Sequence, residues 1–228
     1  MTIYVPTVIV VFFVILSVLA TILAFAYLLM LEWNLAKRQV PHHDDLTGLC
    51  TRGTIRTHIC HRLSHISRLQ CAELTARSSD AFILLDLDCF KQVNDTCGHP
   101  SGDRLLSCIA EVLLSNTRRS DIVGRLGGDE FLLFLTGISS EAIARKKSED
   151  LLDSIRSAAG QNPHWSGVTA SIGIALAPQH GTTFEELYCR ADAALYHAKQ
   201  CGKNRYAIYG ESGCPTYPCK KEEPQGQS

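Results

Sequence analysis

An uninterrupted apolar segment near the start of the chain limits its architecture more than any other feature. Residues 5–31 contain no charged side chain and a single proline, Pro6. A helix of about 20 such residues covers the hydrocarbon core of a bilayer. A cleaved signal peptide is the alternative, but it normally carries basic residues before a shorter apolar run. The segment therefore predicts one uncleaved transmembrane helix over residues 5–31.

The flanks of this segment predict its orientation. No basic residue precedes it, whereas Lys37 and Arg38 follow it closely. Trp33 lies where interfacial aromatic residues are common. Because basic residues mark the side that stays in the cytoplasm, we expect everything after the helix to be cytoplasmic.

The rest of the chain divides by composition. Residues 1–4 are a short N-terminus, and residues 32–43 form a juxtamembrane linker too short for a folded sensor domain. Residues 44–209 alternate between helical and strand-like patterns, which indicates one folded domain. Residues 210–228 are rich in Pro, Glu, Gly, Gln and Ser, a composition typical of a disordered tail.

Charge and cysteine spacing exclude several classes of protein. The formal net charge is −1 and no arginine-rich block occurs, so a nucleic acid polymer is not an expected partner. The ten cysteines are scattered without a CxxC pair, which argues against paired zinc ligands. A chain of this length and apolar content does not need a disulfide framework either. We expect reduced, mostly buried thiols.

The apolar pattern after residue 44 predicts an α/β domain. Helical periodicity alternates with short apolar runs that suit buried strands. The predicted helices cover 55–74, 102–116, 139–158 and 184–200, and the predicted strands cover 81–88, 121–126, 130–135, 168–177 and 205–209. This order contains a βαββαβ core with extra helices and strands.

Three acidic residues stand where predicted strands end or turn. Asp86 follows the apolar part of one strand, and Asp129 and Glu130 follow two glycines at the turn of a predicted hairpin. Taken singly, each acid fits an ordinary strand end or turn. If the hairpin pairs beside the strand, the carboxylates converge and their mutual repulsion requires a cation. An all-oxygen site of this kind favours Mg²⁺.

Two nearby segments have the residue types of a nucleotide site, although each has a plain structural alternative. The loop 89–91 could present backbone N–H groups to phosphate, but its sequence is not a Walker-type loop. Asn94 and Asp103 could read the donor and acceptor edges of a base, or they could cap helices.

Two basic segments also allow both a structural and a functional interpretation when each is taken alone. Lys199 and Lys203 would share a helix face if the helix persists, where they could clamp phosphates or simply offset the helix dipole. Arg118 and Asp121 could form a surface ion pair of little energetic weight. Alternatively, Arg118 could form bidentate hydrogen bonds with a phosphate or with the edge of a guanine base.

Together, these residues resemble a known family. Residues 127–131 read GGDEF, the signature of the diguanylate cyclases. Four other blocks follow in the family's order: DDLTGL at 44–49, DLDCFKQVNDTCGHPSGD at 86–103, SIGIA at 171–175 and ADAALYHAKQCGKNR at 191–205. The resemblance covers about residues 44–209, and five ordered motifs make it specific.

The resemblance implies both a fold and a reaction. The fold is a palm-like βαββαβ core, similar to that of nucleotidyl cyclases. The reaction joins two GTP molecules into cyclic di-GMP and releases two pyrophosphates, with Mg²⁺ or possible Mn²⁺ as the cofactor. Each domain would hold one GTP, so catalysis implies a homodimer, at least transiently. The protein would lie in the bacterial inner membrane, with its catalytic domain in the cytoplasm.

The resemblance also assigns roles to single residues. Asp86 and Asp129 would bind metal through their side chains and Leu87 through its carbonyl. Glu130 would bind metal or help activate the ribose 3′-hydroxyl. The residues implied to bind GTP are Phe90, Lys91, Asn94, His99, Asp103, Lys199 and Lys203. Of these, Asn94 and Asp103 would contact guanine.

The same comparison implies phosphate contacts and a regulatory site. Phe90 and Lys91 would offer backbone amides to the phosphates, and Lys199 would offer its charge, as would Lys203. Arg118 and Asp121 match the family's RxxD inhibitory site, where the product binds and restrains the enzyme.

Two positions depart from the family's pattern. Thr51 stands where the family has asparagine. Lys203 stands where it usually has arginine, which keeps the charge but loses the bidentate fork. Neither position is a predicted metal ligand, so we expect activity to survive.

Two other functions stay open at this stage. One is a catalytically silent GGDEF domain that acts as a receptor for cyclic di-GMP through the RxxD pair. The intact acids at positions 86, 129 and 130 argue against it. The other is a cyclase of relaxed specificity that makes a different dinucleotide.

Overall fold

The computed structural model describes residues 4–37, 42–70 and 79–211. The chain divides into two units, Met1–Pro41 and His42–Ser228. The first contains helix α1 (Tyr4–Lys37), which continues past the predicted end at residue 31 because residues 32–37 include no proline or glycine. Within α1, Ile9–Leu31 is long and apolar enough, by length and composition, to cross a membrane.

The second unit is built on a six-stranded mixed sheet. Its strands are β1 (Cys50–Thr51), β2 (Ser79–Asp88), β3 (Ile122–Gly127), β4 (Glu130–Ile138), β5 (Thr169–Ala177) and β6 (Arg205–Ile208). Their order in the sheet is β1-β3-β4-β2-β5-β6. The four central strands are antiparallel, and each edge strand is parallel to its neighbour.

Five helices accompany this sheet within the described residues. They are α2 (Arg52–Gln70), α3 (Phe90–Cys97), α4 (His99–Ser115), α5 (Glu141–Gly160) and α6 (Phe184–Gln200), with a single 3-10 turn at Pro163–Trp165. From β2 to β5 the chain runs strand, helices, strand, strand, helix, strand. The predicted βαββαβ core is therefore confirmed.

Strand β2 lies at the centre of the unit, with helices on both faces. Ile83 and Leu85 pack in one apolar cluster with residues of α4 and α5. Phe82 and Leu84 pack on the opposite face with residues of α2 and α6. Burial on both faces explains why the strand reads as a continuous apolar run rather than an alternating one. The apolar run covers Ala81–Leu85 and is flanked by aspartates on both sides, Asp80 before it and Asp86 after it.

Several element bounds differ from the prediction. Helix α2 begins at Arg52, and the end of the predicted helix 55–74 lies outside the described residues. Helix α3 is separate, where a loop at 89–91 was predicted, and α4 begins at His99. Eight residues are too few for helical periodicity to stand out. The two-residue β1 is too short to show any periodicity. Most of the predicted tail, residues 210–228, also lies outside the described residues.

The prediction of reduced, mostly buried thiols is wrong in two respects. Cys189 is disulfide-bonded. Six cysteines of the described segments are free, yet none is fully buried, and Cys60 and Cys201 are exposed. On α2, Ile59 is fully buried whereas Cys60, the next residue, is exposed, because the two side chains lie on different faces of the helix.

Candidate active site

The hairpin and the central strand meet at one end of the sheet. Asp86 of β2 lies directly opposite Glu130 of β4. One residue further, the Leu87 N–H donates to the carbonyl oxygen of Asp129 at 3.3 Å. The expected proximity of the hairpin to the Asp86 strand is therefore present in the fold.

The turn of the hairpin has backbone angles that require glycine and free space beside it. Gly127 and Gly128 have φ angles of 150° and 54°, which glycine adopts without strain. A Cβ atom at either position would meet no heavy atom within 4 Å. Glycine is thus required by the backbone conformation, and it leaves space for a molecule to approach the turn.

Arg125, which the sequence analysis missed, holds this turn in place. Its Nη2 and Nε atoms donate to the Gly128 carbonyl oxygen at 2.8 and 3.0 Å. Its Nη1 atom donates to the Asp44 carboxylate at 3.1 Å. Burial raises the pKa of Asp44, but hydrogen bonds from Thr47 and the charge of Arg125 lower this pKa overall. Through Arg125, the DDLTGL motif positions the GGDEF turn.

Negative charge accumulates at this end of the sheet. Burial and the charge of Asp86 raise the pKa of Asp129. Burial, Asp86 and Asp129 raise the pKa of Glu130, and Asp192 of α6 adds to this effect. Lys199 Nζ lies 2.7 Å from Asp86 Oδ1, but no ion pair within the described residues reaches Asp129 or Glu130. The charge of Lys199, and for Asp129 also that of Arg125, lowers these pKa values, but burial and the neighbouring acids outweigh both.

The side chains of Asp86, Asp129 and Glu130 do not form a group of three metal ligands, and the smaller predicted set of Asp86, Asp129 and the Leu87 carbonyl stays a prediction. Within the described residues, no group of three or more His, Cys, Asp or Glu side chains is placed to hold a metal ion. The Asp86 carboxylate is instead directed to Lys199. Asp86, Asp129 and the Leu87 carbonyl nevertheless provide only oxygen donors, beside the acidic side chain of Glu130. This chemistry fits a hard divalent cation such as Mg²⁺.

Phe90 and Lys91 lie in the first turn of α3 rather than in a loop. Cys89, with φ 65°, takes the chain directly from β2 into the helix. The Gln92 N–H donates to the Cys89 carbonyl oxygen at 3.0 Å. The first N–H groups of a helix have no intrahelical partner and attract anions. Phe90 and Lys91 thus retain the predicted backbone donors in a different element.

Asn94 has a buried oxygen whose hydrogen-bonding capacity is unmet. Its Oδ1 atom has no hydrogen-bond partner among the described residues. A Cβ atom at Gly102 of α4 would come within 2.0 Å of this oxygen, so glycine at this position leaves room for the Asn94 side chain. Neither α3 nor α4 has a side-chain N-cap, which excludes the capping alternative for Asn94 and Asp103. Asp103 follows Gly102 directly and, like His99, is exposed.

Lys199 and Lys203 were expected to share a helix face only if the helix persisted to Lys203, and it does not. Helix α6 ends at Gln200, and Lys203 and Asn204 take left-handed backbone angles, with φ of 62° and 49°. The Lys203 N–H donates to the Ala198 carbonyl oxygen at 3.1 Å, which folds the chain back on the helix end. Lys199 consequently reaches Asp86 from the helix, whereas Lys203 is exposed on the turn that follows.

Arg118 and Asp121 line a different part of the surface. They border a cavity of about 410 Å³, together with His43 and His58. The Arg118 backbone N–H donates to Asp121 Oδ2 at 2.8 Å, and the Thr136 N–H donates to Oδ1 at 3.0 Å. Within the described part of the chain no ion pair joins Arg118 to Asp121, so the simple ion-pair alternative is wrong. The Arg118 side chain is exposed.

Comparison with known proteins gives these motifs a family. Residues 41–205 match the family described as diguanylate cyclase, GGDEF domain. The chain is 40% identical over 199 residues to the bifunctional diguanylate cyclase/cyclic di-GMP phosphodiesterase MucR of Pseudomonas aeruginosa, covering 86% of this chain and 26% of MucR. It is 34% identical over 180 residues to the probable diguanylate cyclase DgcT of Escherichia coli, covering 75% and 36%. The chain thus spans well under half the length of these relatives.

Solved structures agree with the fold. The GGDEF domain of TpbB (YfiN) from Pseudomonas aeruginosa is 32% identical, with a TM-score of 0.64, and covers 74% of this chain and 94% of that one. Diguanylate cyclase SiaD, in complex with its activator SiaC, is 33% identical with a TM-score of 0.61, over 85% and 71% of the two chains. The predicted α/β, nucleotidyl-cyclase-like fold is confirmed.

Proposed function

Because the chain belongs to the diguanylate cyclase family of GGDEF domains, we propose that it condenses two GTP molecules into cyclic di-GMP and two pyrophosphates. The observation that carries this proposal is the acidic end of the sheet. There Asp86 faces Glu130 across the strands, and the pKa values of Asp129 and Glu130 are both raised. A site with this much uncompensated charge is suited to cations and to a reaction that moves negative charge.

The metal site is part of the proposal. Asp86, Asp129 and the Leu87 carbonyl would hold Mg²⁺ or Mn²⁺. When bound, the cation stabilises negative charge on the attacking and leaving oxygens of phosphoryl transfer. Lys199, whose ammonium group lies 2.7 Å from Asp86 Oδ1, would contact the phosphate chain beside this site.

Glu130 is proposed to receive the proton of the attacking ribose 3′-hydroxyl. Its side chain is exposed at the mouth of the site, although partial burial and the neighbouring acids raise its pKa. A carboxylate with a raised pKa is a stronger base than an ordinary one. The remaining contribution of the protein is to hold both reactants in line.

The nucleotide would lie along the start of α3 and α4. The backbone amides of Phe90 and Lys91 would bind phosphate oxygens. Asn94, whose buried Oδ1 lacks a partner among the described residues, would hydrogen-bond guanine together with Asp103. His99 at the start of α4 would contribute to the same pocket, and Lys203 would contact the phosphates.

Two such domains must face each other, because each holds one GTP. A symmetric homodimer, at least transient, meets this requirement. Helix α1 would anchor the chain in the bacterial inner membrane, with the catalytic unit in the cytoplasm and the helices raising the local concentration of partners. The Ile9–Leu31 segment supports this by length and composition.

The proposal is tested with the full chain purified in detergent and supplied with GTP and Mg²⁺. We expect release of pyrophosphate and formation of cyclic di-GMP. A folded, dimeric protein that yields neither product would reject the proposal. Substituting ATP for GTP in a parallel reaction tests the relaxed-specificity alternative, which predicts a product with either nucleotide.

A second candidate function is reception of cyclic di-GMP. The cavity beside Arg118 and Asp121 supports product binding there, with the exposed guanidinium of Arg118 as an anion ligand. In an active enzyme, Arg118→Ala should leave the initial rate unchanged and relieve slowing as product accumulates. Unchanged late-phase kinetics would contradict an inhibitory site. Binding of cyclic di-GMP without any cyclase activity would favour the receptor function instead.

A further inference from the structure

Asp88, at the end of β2, is among the most completely hydrogen-bonded side chains of the catalytic unit. It is only 3% exposed. Its Oδ1 atom accepts a hydrogen bond from the Ser171 hydroxyl at 2.8 Å. Its Oδ2 atom accepts from the Thr169 hydroxyl at 2.7 Å and from the backbone N–H of Asn204 at 3.0 Å. The first two donors come from the adjacent strand β5, but the third comes from the turn after α6.

That turn has a backbone that needs external support. Lys203 and Asn204 are consecutive non-glycine residues with positive φ, a conformation that L-residues adopt at an energetic cost. The Asn204 N–H bond to Asp88 supplies a fixed point from the sheet. On the outer side, Arg156 Nη2 donates to Asn204 Oδ1 at 3.3 Å. The turn is thus held between β2 and α5.

The strand that holds the turn also carries the acidic site. Asp86 and Asp88 are two residues apart on β2, so both side chains leave the same face of the sheet. Asp86 reaches Lys199 within α6, and Asp88 reaches the backbone just beyond the end of that helix. Both lysines of the proposed phosphate site thus lie next to the end of this strand: Lys199 contacts Asp86 through its side chain, and Lys203 precedes the residue whose amide contacts Asp88.

We propose that Asp88 is a positioning residue for the triphosphate of GTP. Its carboxylate holds the Lys203–Asn204 turn so that the Lys203 ammonium group faces the phosphate chain beside Asp86. Asp88 itself touches no phosphate, because its oxygens are occupied by Ser171, Thr169 and Asn204. This inference rests on the proposed function, since it presumes that GTP binds at this end of the sheet.

The test compares binding of two nucleotides to the full chain in detergent. The probes are the non-hydrolysable analogue guanylyl imidodiphosphate, which carries the full phosphate chain, and GMP. The variants are Asp88→Ala and Lys203→Ala, with Asp80→Ala as the matched control. Asp80 is a buried aspartate on the same strand that also accepts a backbone N–H, but at the other end. Melting temperatures are recorded for every variant.

We expect Asp88→Ala and Lys203→Ala each to weaken binding of the analogue by about tenfold, as the loss of one charged contact does. Their combination should be no weaker than Lys203→Ala alone, because both changes remove the same contact. GMP binding should stay unchanged in both variants. The Asp80→Ala control should lose thermal stability but bind the analogue as the wild-type chain does.

A conservative variant separates position from charge. In Asp88→Asn, the amide oxygen can accept from the Asn204 N–H and the NH₂ group can donate to a hydroxyl, since hydroxyls act in either role. We expect this variant to bind the analogue within about twofold of wild type. If Asp88→Ala does not fold, Thr169→Val removes one donor to the same oxygen, and a smaller loss of analogue binding, with GMP binding intact, is expected.

The outcomes distinguish this inference from the proposed function. A wild-type chain that binds no guanine nucleotide contradicts the proposed function itself. A wild-type chain that binds the analogue, with Lys203→Ala weakened while Asp88→Ala or Thr169→Val binds as Asp80→Ala does, overturns only the role of Asp88. Equal loss of GMP and analogue binding in Asp88→Ala would also overturn it, because the defect would then be general.

Discussion

Strand β2 carries aspartates near both of its ends, and their surroundings differ. At the start, Asp80 is 2% exposed and accepts hydrogen bonds from the Gly137 N–H at 2.8 Å and from Arg62 Nε at 3.2 Å. At the other end, Asp86 faces Glu130 across the sheet and has one lysine to balance a group of acids.

The comparison distinguishes two kinds of carboxylate. Some are satisfied by hydrogen-bond donors of the fold, and others keep a charge that could bind a cation. A buried carboxylate costs free energy unless donors or cations satisfy it. The fold provides donors for Asp80, and also for Asp88, which lies within the acidic end itself. Among the described residues it provides none of comparable strength for Asp129 and Glu130, whose pKa values are raised. Unmet charge, rather than acidity alone, marks the proposed site.

The largest expected effect is the loss of activity in Glu130→Gln. Removal of a general base lowers turnover by about 100-fold or more. The melting temperature should not fall, because a raised pKa means that the fold disfavours the ionised carboxylate, and glutamine removes that charge. Initial rates of pyrophosphate release and thermal melts on the same preparations measure both quantities. A variant with wild-type turnover would contradict the role of Glu130.

Substitution at the start of β2 should lower the melting temperature and leave turnover unchanged, the reverse of the result expected for Glu130→Gln. Asp80→Ala leaves the Gly137 N–H without its acceptor, and we expect the melting temperature of the catalytic unit to fall by about 4–8 °C. Turnover per folded chain should stay at the wild-type level. Both quantities follow from melts monitored by circular dichroism and rates at a temperature well below the transition. Loss of turnover in the folded variant would break the contrast between the two ends.

Arg125→Lys tests how the acidic end is oriented. A lysine cannot contact the Gly128 carbonyl and the Asp44 carboxylate together, so the hairpin turn would lose its fixed position. We expect an initial rate about tenfold lower with little change in melting temperature. Arg56→Lys is the control, because Arg56 forms an exposed pair with Glu185 away from the hairpin turn. Equal rates for the two variants would show that the contacts of Arg125 with Gly128 and Asp44 do not affect catalysis.

The smallest effect is a pH dependence of stability at the Asp80 end. His180 follows β5, close to the pairing of Ala177 with Asp80, and its Nδ1 atom accepts from the Leu176 N–H at 3.1 Å. Burial lowers its pKa, so the unfolded chain binds a proton at a higher pH than the folded chain. Stability should therefore decrease as the pH falls below the ordinary histidine pKa of about 6.5, until the folded form also titrates.

His180→Asn isolates this contribution. Asparagine can offer an acceptor to the Leu176 N–H, but it does not titrate. Melting temperatures measured in steps between neutral and mildly acidic pH should decline less steeply in the variant than in the wild type. Identical slopes would assign the pH dependence to other groups.

Much of the fold could be predicted from the sequence because its elements are long and periodic. Helix α6 has the bounds expected from its apolar spacing, and β5 and β6 differ by one residue. The errors fall where periodicity is short or ends: the eight-residue α3, the two-residue β1, and the turn at Lys203, where a helical spacing argument was extended past the helix end.

The site was less predictable because its geometry depends on distant partners. The pairing of Asp86 with Glu130 could be expected from a strand and a hairpin that both end in acids. Nothing local indicates that Arg125 contacts Asp44 or that Asp88 accepts from Asn204, residues 81 and 116 positions apart. One usable signal existed: two acids at alternate positions of a buried strand each need a partner.

The most direct test of the account is the binding of Mn²⁺ to the full chain, measured by equilibrium dialysis with guanylyl imidodiphosphate present. Wild type, Asp129→Asn and Asp80→Asn are compared. We expect Asp80→Asn to bind Mn²⁺ as wild type does, and Asp129→Asn to bind it at least about tenfold more weakly. Wild-type binding of Mn²⁺ by Asp129→Asn would contradict the claim that the uncompensated acids of this strand end form a cation site.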